Sequence, residues 1–198
     1  GFHVSLLRDL GVIVAGFDRS LAALRTAPRG LVAAGDLLHP PLQDAVADGV
    51  ICLGNTISLL PSRRLQRQVL AALAALLRPG GVLLLQGEDT GLLVAAGPLL
   101  RTRRIDPETV HVRVFERRGR QVRLLAGVAR VGGEAQLEES CFLPTSAAAL
   151  GRLAATLKLH EIVPPAAPPG AGATWWIALE RNSGSWARGP GSVSPTHP

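Results

Sequence analysis

Four short apolar runs in the first ninety residues each stop at side chains able to make polar contacts. Asp18 follows residues 12–17, Asp36 follows residues 31–35, Gly54-Asn55-Thr56 follows residues 50–53, and Gln86-Gly87-Glu88-Asp89 follows residues 82–85. A carboxylate offers two acceptor oxygens, so Asp18 could take both hydroxyls of a ribose, and Asp36 could accept from an exocyclic amine such as that of adenine. Asn55 carries a donor and an acceptor together, which suits a zwitterionic or amide-bearing group. Gly54 lets a ligand approach the backbone closely. Glu88, Asp89 and, further on, His111 could act as a base toward an amine or hydroxyl. Each position also has a structural reading. Asp18 could cap a helix or face its dipole, Asp36 could close a strand-end turn, and Asn55 could form an Asx turn.

Such residues are useful only if one scaffold brings them to a common edge. Apolar runs without polar alternation are the pattern of parallel strands buried on both faces. Residues 2–10 predict a helix stopped by Gly11, and a second helix opens at Arg19-Ser20 and runs to about Arg25. A long Ala- and Leu-rich helix covers residues 63–77, and Pro79-Gly80-Gly81 then forces a turn. Strand and helix alternate, which predicts a doubly wound parallel sheet with helices on both faces. In such a sheet the ligand lies outside the carboxyl ends of the strands, where all four polar endings fall.

Beyond Thr90 the period changes. Residues 110–115 and 122–124 alternate apolar with polar around an Arg118-Gly119-Arg120 turn, as antiparallel strands with one wetted face do. A further helix is expected over residues 146–159, and a strand over residues 175–179. Trp175 and Trp176 put one ring on each face of that strand, with core packing favoured over substrate stacking. Residues 1–181 read as one domain. Residues 182–198 are rich in Gly, Ser, Pro and Arg and read as a disordered tail.

Composition narrows the function classes. The net charge is +6, carried almost wholly by arginine, with Lys158 the single lysine. The arginines are scattered and do not interleave with aromatics, so nucleic acid is not the expected partner. Cys52 and Cys141 lack metal or disulfide spacing and fit a reducing cytoplasm, and no metal site is expected. His39, His111 and His160 stand far apart and read as structural. Ser58, Ser62 and Ser140 lack a nucleophile-elbow context. No run approaches the roughly 20 apolar residues of a membrane span.

Residues 48–56, Asp-Gly-Val-Ile-Cys-Leu-Gly-Asn-Thr, with a helix and then Leu77-Arg78-Pro79-Gly80-Gly81-Val82-Leu83, resemble class I S-adenosylmethionine-dependent methyltransferases. Within that superfamily they resemble the glycine N-methyltransferase-like branch. The resemblance implies a Rossmann-like doubly wound sheet with an antiparallel C-terminal part. Gly1-Phe2-His3 resembles the exit of the family's glycine-rich loop, so the first strand and most of that loop are expected upstream of residue 1. The family implies S-adenosylmethionine as cofactor and a small-molecule methyl acceptor. It places Gly1 near the methionine part, Asp18 on the ribose, Asp36 near the adenine, and Leu53, Gly54 and Asn55 along the methionine end and the substrate, with Arg19 and Leu37 also among the cofactor-binding residues. Asn55, Glu88 and Asp89 are the candidates on the acceptor side. Two positions depart from the glycine-using members: Glu88 stands where they hold the substrate carboxylate with arginine, and Leu59 where they carry histidine. A cationic amine suits Glu88 and Asp89 better than glycine does. An acid ending the second strand also suits a nicotinamide oxidoreductase, and a non-catalytic interaction domain is the third reading.

Overall fold

A computed structural model describes residues 1–133, 135–162 and 174–182. Helix α1 (Phe2–Asp9) ends before Gly11, whose φ of +80° no helix continues. Strand β1 (Gly16–Asp18), helix α2 (Leu21–Arg25) and strand β2 (Val32–Ala34) form a small parallel unit. Ser20 caps α2 by accepting the Ala23 N–H. The strand expected over residues 12–17 is shorter than its apolar run, because its ladder with β2 is only three residues long. Residues 12–15 have no ladder partner among the described residues.

Strand β3 (Ala47–Cys52) leads through a 3-10 turn (Ile57–Leu59) to helix α3 (Arg63–Leu76), strand β4 (Leu77–Glu88) and the single turn α4 (Thr90–Leu93). The Ser62 hydroxyl caps α3 by accepting the Leu65 N–H. Val69, Leu70, Leu73 and Leu76 are buried, recurring every three or four residues as an amphipathic helix requires. β3 and β4 run parallel, but Ala47 pairs with Leu77 and Gly49 already with Val82. The Pro79-Gly80-Gly81 turn is therefore a bulge thrown out of β4. Gly80 has φ +79°, and a Cβ on Gly81 would stand 3.0–3.2 Å from three backbone carbonyls.

Strands β5 (Leu99–Arg104), β6 (Thr109–Arg118), β7 (Gln121–Arg130) and β8 (Ala135–Phe142) make an antiparallel meander, in which the alternating residues 110–115 and 122–124 lie on β6 and β7 as expected, while β5 and β8 carry no such signal in the sequence. Helix α5 (Ala147–Ala155) stops four residues earlier than expected. Leu159 instead opens strand β9 (Leu159–Ile162), which pairs with β10 (Thr174–Arg181). The expected tail lies outside the described residues from 183 onward, as does the Pro/Gly/Ala stretch 164–173.

The second sheet has the order β3-β4-β10-β9, parallel between β3 and β4 and antiparallel thereafter. Cross-strand register puts Leu83 with Leu179, and Leu85 with Ile177, on one face. These side chains are fully buried with those of α3 and with Leu150 and Ala154 of α5. The two helices packed on this sheet, α3 and α5, thus share this core. On the opposite face Leu84 and Gln86 are half-buried and Ile51 is 43% exposed. Phe17, Leu37 and Leu38 join the small parallel unit to the main core, and a separate core of Val94, Phe115, Val122, Leu124 and Phe142 supports the meander.

Candidate functional site

The β1–β2 ladder brings Asp18 and Asp36 together at one carboxyl edge. Asp18 lies opposite Ala34, and the Gly35 N–H donates to the Asp18 carbonyl at 3.1 Å. Both carboxylates are exposed. One oxygen of each is engaged locally: Asp18 Oδ1 accepts the Ser20 N–H at 2.8 Å, and Asp36 Oδ1 the Leu38 N–H at 2.7 Å. The second oxygen of each has no hydrogen bond among the described residues, so turn-making and ligand binding are compatible at both positions. Gly35 is demanded by packing, since a Cβ there would lie 2.5 Å from the Pro41 ring. Arg19 is exposed and Leu37 is half-buried against the main core.

Gly1 lies elsewhere. It precedes α1, and its Cα abuts Ala27, where a Cβ would be 2.5 Å away. Ala27 follows the C-terminal end of α2, whereas Asp18 stands just before the α2 N-terminus.

The β3 and β4 ends are wired to each other. Gly54 and Asn55 both adopt left-handed conformations, φ +73° and +72°, which Asn tolerates better than other side chains. The Gly54 N–H donates to Gln86 Oε1 at 2.7 Å, and Asn55 Oδ1 accepts the Glu88 N–H at 2.9 Å. Each strand end therefore satisfies a backbone donor of the other. Leu53 is half-buried between them. Below the turn, burial pushes the Cys52 thiol up to about 11, which makes it a neutral packing group.

The acidic candidates are engaged. Glu88, with a side chain 17% exposed, accepts from Arg101 Nη1 at 2.5 Å, and the Arg101 guanidinium lies 5.8 Å over the Phe115 ring. Asp89 caps α4 by accepting the Gly91 and Leu92 N–H groups. Arg101 had no signal in the sequence, because β5 lacks a clean alternation. Gln86 did have one: a polar residue directly after Leu83-Leu84-Leu85.

A buried polar network fixes this edge from beneath. Gln66 Nε2 donates to Thr145 Oγ1 at 2.7 Å, Arg63 donates to Gln66 and to the Pro144 carbonyl, and Trp175 Nε1 donates to the Thr145 carbonyl at 3.1 Å. Trp175 thus packs in the core as expected. A Cβ on Gly87 would stand 2.4 Å from Ser58 Oγ and from the Trp175 ring, so this strand end admits only glycine. His39 makes an isolated bridge with Asp36, while His111 and His160 sit on β6 and β9. Among the described residues no three His, Cys, Asp or Glu side chains are grouped to hold a metal, and no helix is long and apolar enough to cross a membrane.

This architecture is the fold of class I S-adenosylmethionine-dependent methyltransferases, as its likeness to solved structures shows. The chain is similar to the CcbJ methyltransferase of Streptomyces caelestis, with TM-score 0.70 and 21% identity over 89% of this chain and 82% of that one. It is also similar to SAM-bound CalS10, an amino pentose methyltransferase of Micromonospora echinaspora (TM-score 0.65, 18% identity, 88% and 77% of the chains). The sugar N-methyltransferase KedS8 of Streptoalloteichus sp ATCC 53650 has TM-score 0.65 and 19% identity over 85% and 70%. No family model and no curated protein matches the sequence.

Proposed function

We propose that the chain is an S-adenosylmethionine-dependent methyltransferase acting on a small-molecule acceptor in the cytoplasm, with residues 1–181 as its domain. The observation that carries this reading is the interlocked edge Gly54-Asn55 with Gln86-Glu88, set in a methyltransferase fold beside the paired acids Asp18 and Asp36. The donor set fits the cofactor: two exposed carboxylates on adjacent strand ends, each with one uncommitted oxygen, suit the hydroxyls and amine of an adenosine. Asp18 with Arg19 would hold the ribose, Asp36 with Leu37 the adenine, and Leu53, Gly54 and Asn55 the amino-acid end. Gly1 is assigned to that end by resemblance only.

The cofactor supplies an electrophilic methyl group, so no nucleophile or metal is required of the protein. The chain's part is to hold the acceptor lone pair in line, which is proximity and orientation work. Asn55, pinned by its bond to Glu88, is a rigid element of that arrangement. Glu88 and Asp89, at the end of β4, are the carboxylates we propose as base toward an acceptor that must lose a proton. β1 and β3 each have one unpaired edge among the described residues. We place a further strand there, which would pair with those free edges. The likeness to the glycine N-methyltransferase-like branch rests on residues 48–56 and 77–83. Glu88 and Leu59 argue against glycine as acceptor, and sugars head the acceptor panel, since CalS10 is named an amino pentose methyltransferase and KedS8 a sugar N-methyltransferase.

Calorimetric titration of the chain with S-adenosylhomocysteine, and in parallel with NADH, tests the reading. Saturable binding of the first alone is expected. Binding of NADH alone would move the protein to the oxidoreductases, and binding of neither would leave a methyltransferase fold with a non-catalytic role.

A further inference from the structure

We infer that the face of the meander turned toward Glu88 binds an oxyanion group, phosphate or carboxylate, carried by the acceptor; this rests on the methyltransferase reading for the word acceptor, not for the anion. In the β5–β6 ladder Arg101 lies directly opposite Arg113, and Arg103 directly opposite His111. Strand alternation puts all four on the face that carries Leu99 and Phe115. Directly opposed residues have Cβ atoms about 4.5–5.5 Å apart, and like charges so placed destabilise a sheet. Arg101 alone has a carboxylate, Glu88. Arg103 and Arg113 are exposed and make no ion pair or hydrogen bond among the described residues. Among the described strand residues the other acid on this face is Glu138, which lies beyond Ala126 and so one strand further from Arg113.

The reverse face of the same sheet shows what compensation looks like. There Arg123 stands between Glu116 and Glu139, bonded to Glu139 at 2.8 Å and to Glu116 at 3.5 Å, and Arg118 pairs with Glu116 at 2.6 Å. Charges alternate in sign on that side, whereas on this one Arg103 and Arg113 have no carboxylate partner among the described residues. The basic cluster also adjoins the candidate site, because the Arg101–Glu88 contact ties it to the end of β4. Guanidinium forks match phosphate and carboxylate oxygens, and three of them on a patch roughly 5 by 7 Å suit one or two such groups. That extent fits a small molecule rather than a polymer track.

The test titrates the 198-residue chain at fixed salt with inorganic pyrophosphate, with citrate and with duplex DNA, alongside S-adenosylhomocysteine. Saturable binding of pyrophosphate or of citrate is expected, and which of the two binds tighter assigns the anion to phosphate or carboxylate. Arg113→Gln and Arg103→Gln should each weaken it about tenfold, whereas Arg64→Gln on the exposed side of α3 should not. Circular dichroism of each variant checks that the fold is kept. No saturable anion binding, or an equal loss in Arg64→Gln, overturns the proposal. Duplex DNA binding more tightly than pyrophosphate, and lost in the same two variants, overturns it in favour of a nucleic-acid surface. Binding of S-adenosylhomocysteine with neither pyrophosphate nor citrate rejects the anion site alone. Pyrophosphate without S-adenosylhomocysteine rejects the methyltransferase reading and keeps the anion site.

Discussion

Among the described residues two parallel strand pairs end in polar residues, and they are built differently. β1 and β2 share three residue pairs, bury no side chain fully, and end in two exposed acids whose bonds are to their own turns. β3 and β4 sit on a core of fully buried Leu, Ile and Val side chains, and their ends are bonded to one another through Gln86 and Asn55. One pair presents polar groups and contributes little to holding the chain together. The other is fixed before any ligand arrives, which is what orienting two reactants demands of a protein.

The sharpest way to break this contrast is to weaken each core in turn. Leu85→Ala removes a fully buried side chain between β10 and α3 and should cost about 2–5 kcal/mol in urea unfolding, because transfer and cavity terms add. Val32→Ala on β2, only half-buried, should cost under about 1 kcal/mol. Equal losses would mean that the two pairs fold as one equally packed body.

The wiring itself comes next. Asn55→Ala deletes the acceptor of the Glu88 N–H and places alanine in a left-handed conformation, for an expected loss of about 1–3 kcal/mol. Asn55→Gly keeps the backbone conformation and loses only the bond. If glycine restores full stability, the bond contributes nothing and the strand ends are not coupled as described.

A smaller effect reports on the base of β3. An ordinary cysteine loses its proton near 9.0, whereas buried Cys52 holds it to about 11. Between those values the unfolded chain binds fewer protons than the folded one, so stability falls as pH rises through this window and is unaffected below it. Cys52 should also resist alkylation at pH 8 while exposed Cys141 reacts. Rapid labelling of both thiols would show that the β3 end opens freely.

How much of this was legible in sequence follows the same division. The four polar strand ends, the long α3, the Pro79-Gly80-Gly81 turn and the alternating strands β6 and β7 were readable because local pattern and tertiary role agree there. The extent of β1 was not, since apolar residues 12–15 mark a strand without saying whether a partner reaches them. β9 was hidden because the α5 pattern runs on through Leu157 while the chain has already turned at Lys158, where φ is +58°. Asn55 was visible as a candidate, but its partner Glu88 N–H, 33 residues away, was not. Arg101 and the basic ladder it shares with Arg113 arise from register alone, and register is not printed in any single strand.

The weakest expected effect on stability bears most directly on the difference between the two pairs. Asp18→Asn keeps an oxygen to accept the Ser20 N–H, so the α2 entry survives and unfolding should shift by no more than about 0.5 kcal/mol. The substitution removes the charge and replaces one acceptor oxygen with a donor, so a ribose would lose one of its two acceptors. Affinity for S-adenosylhomocysteine should then fall about tenfold or more, read by calorimetry. A large loss of stability with unchanged affinity would make Asp18 a turn residue and nothing else. An unchanged fold with lost affinity would instead separate the two roles in one side chain, because the oxygen that shapes the turn is not the one available to a ligand.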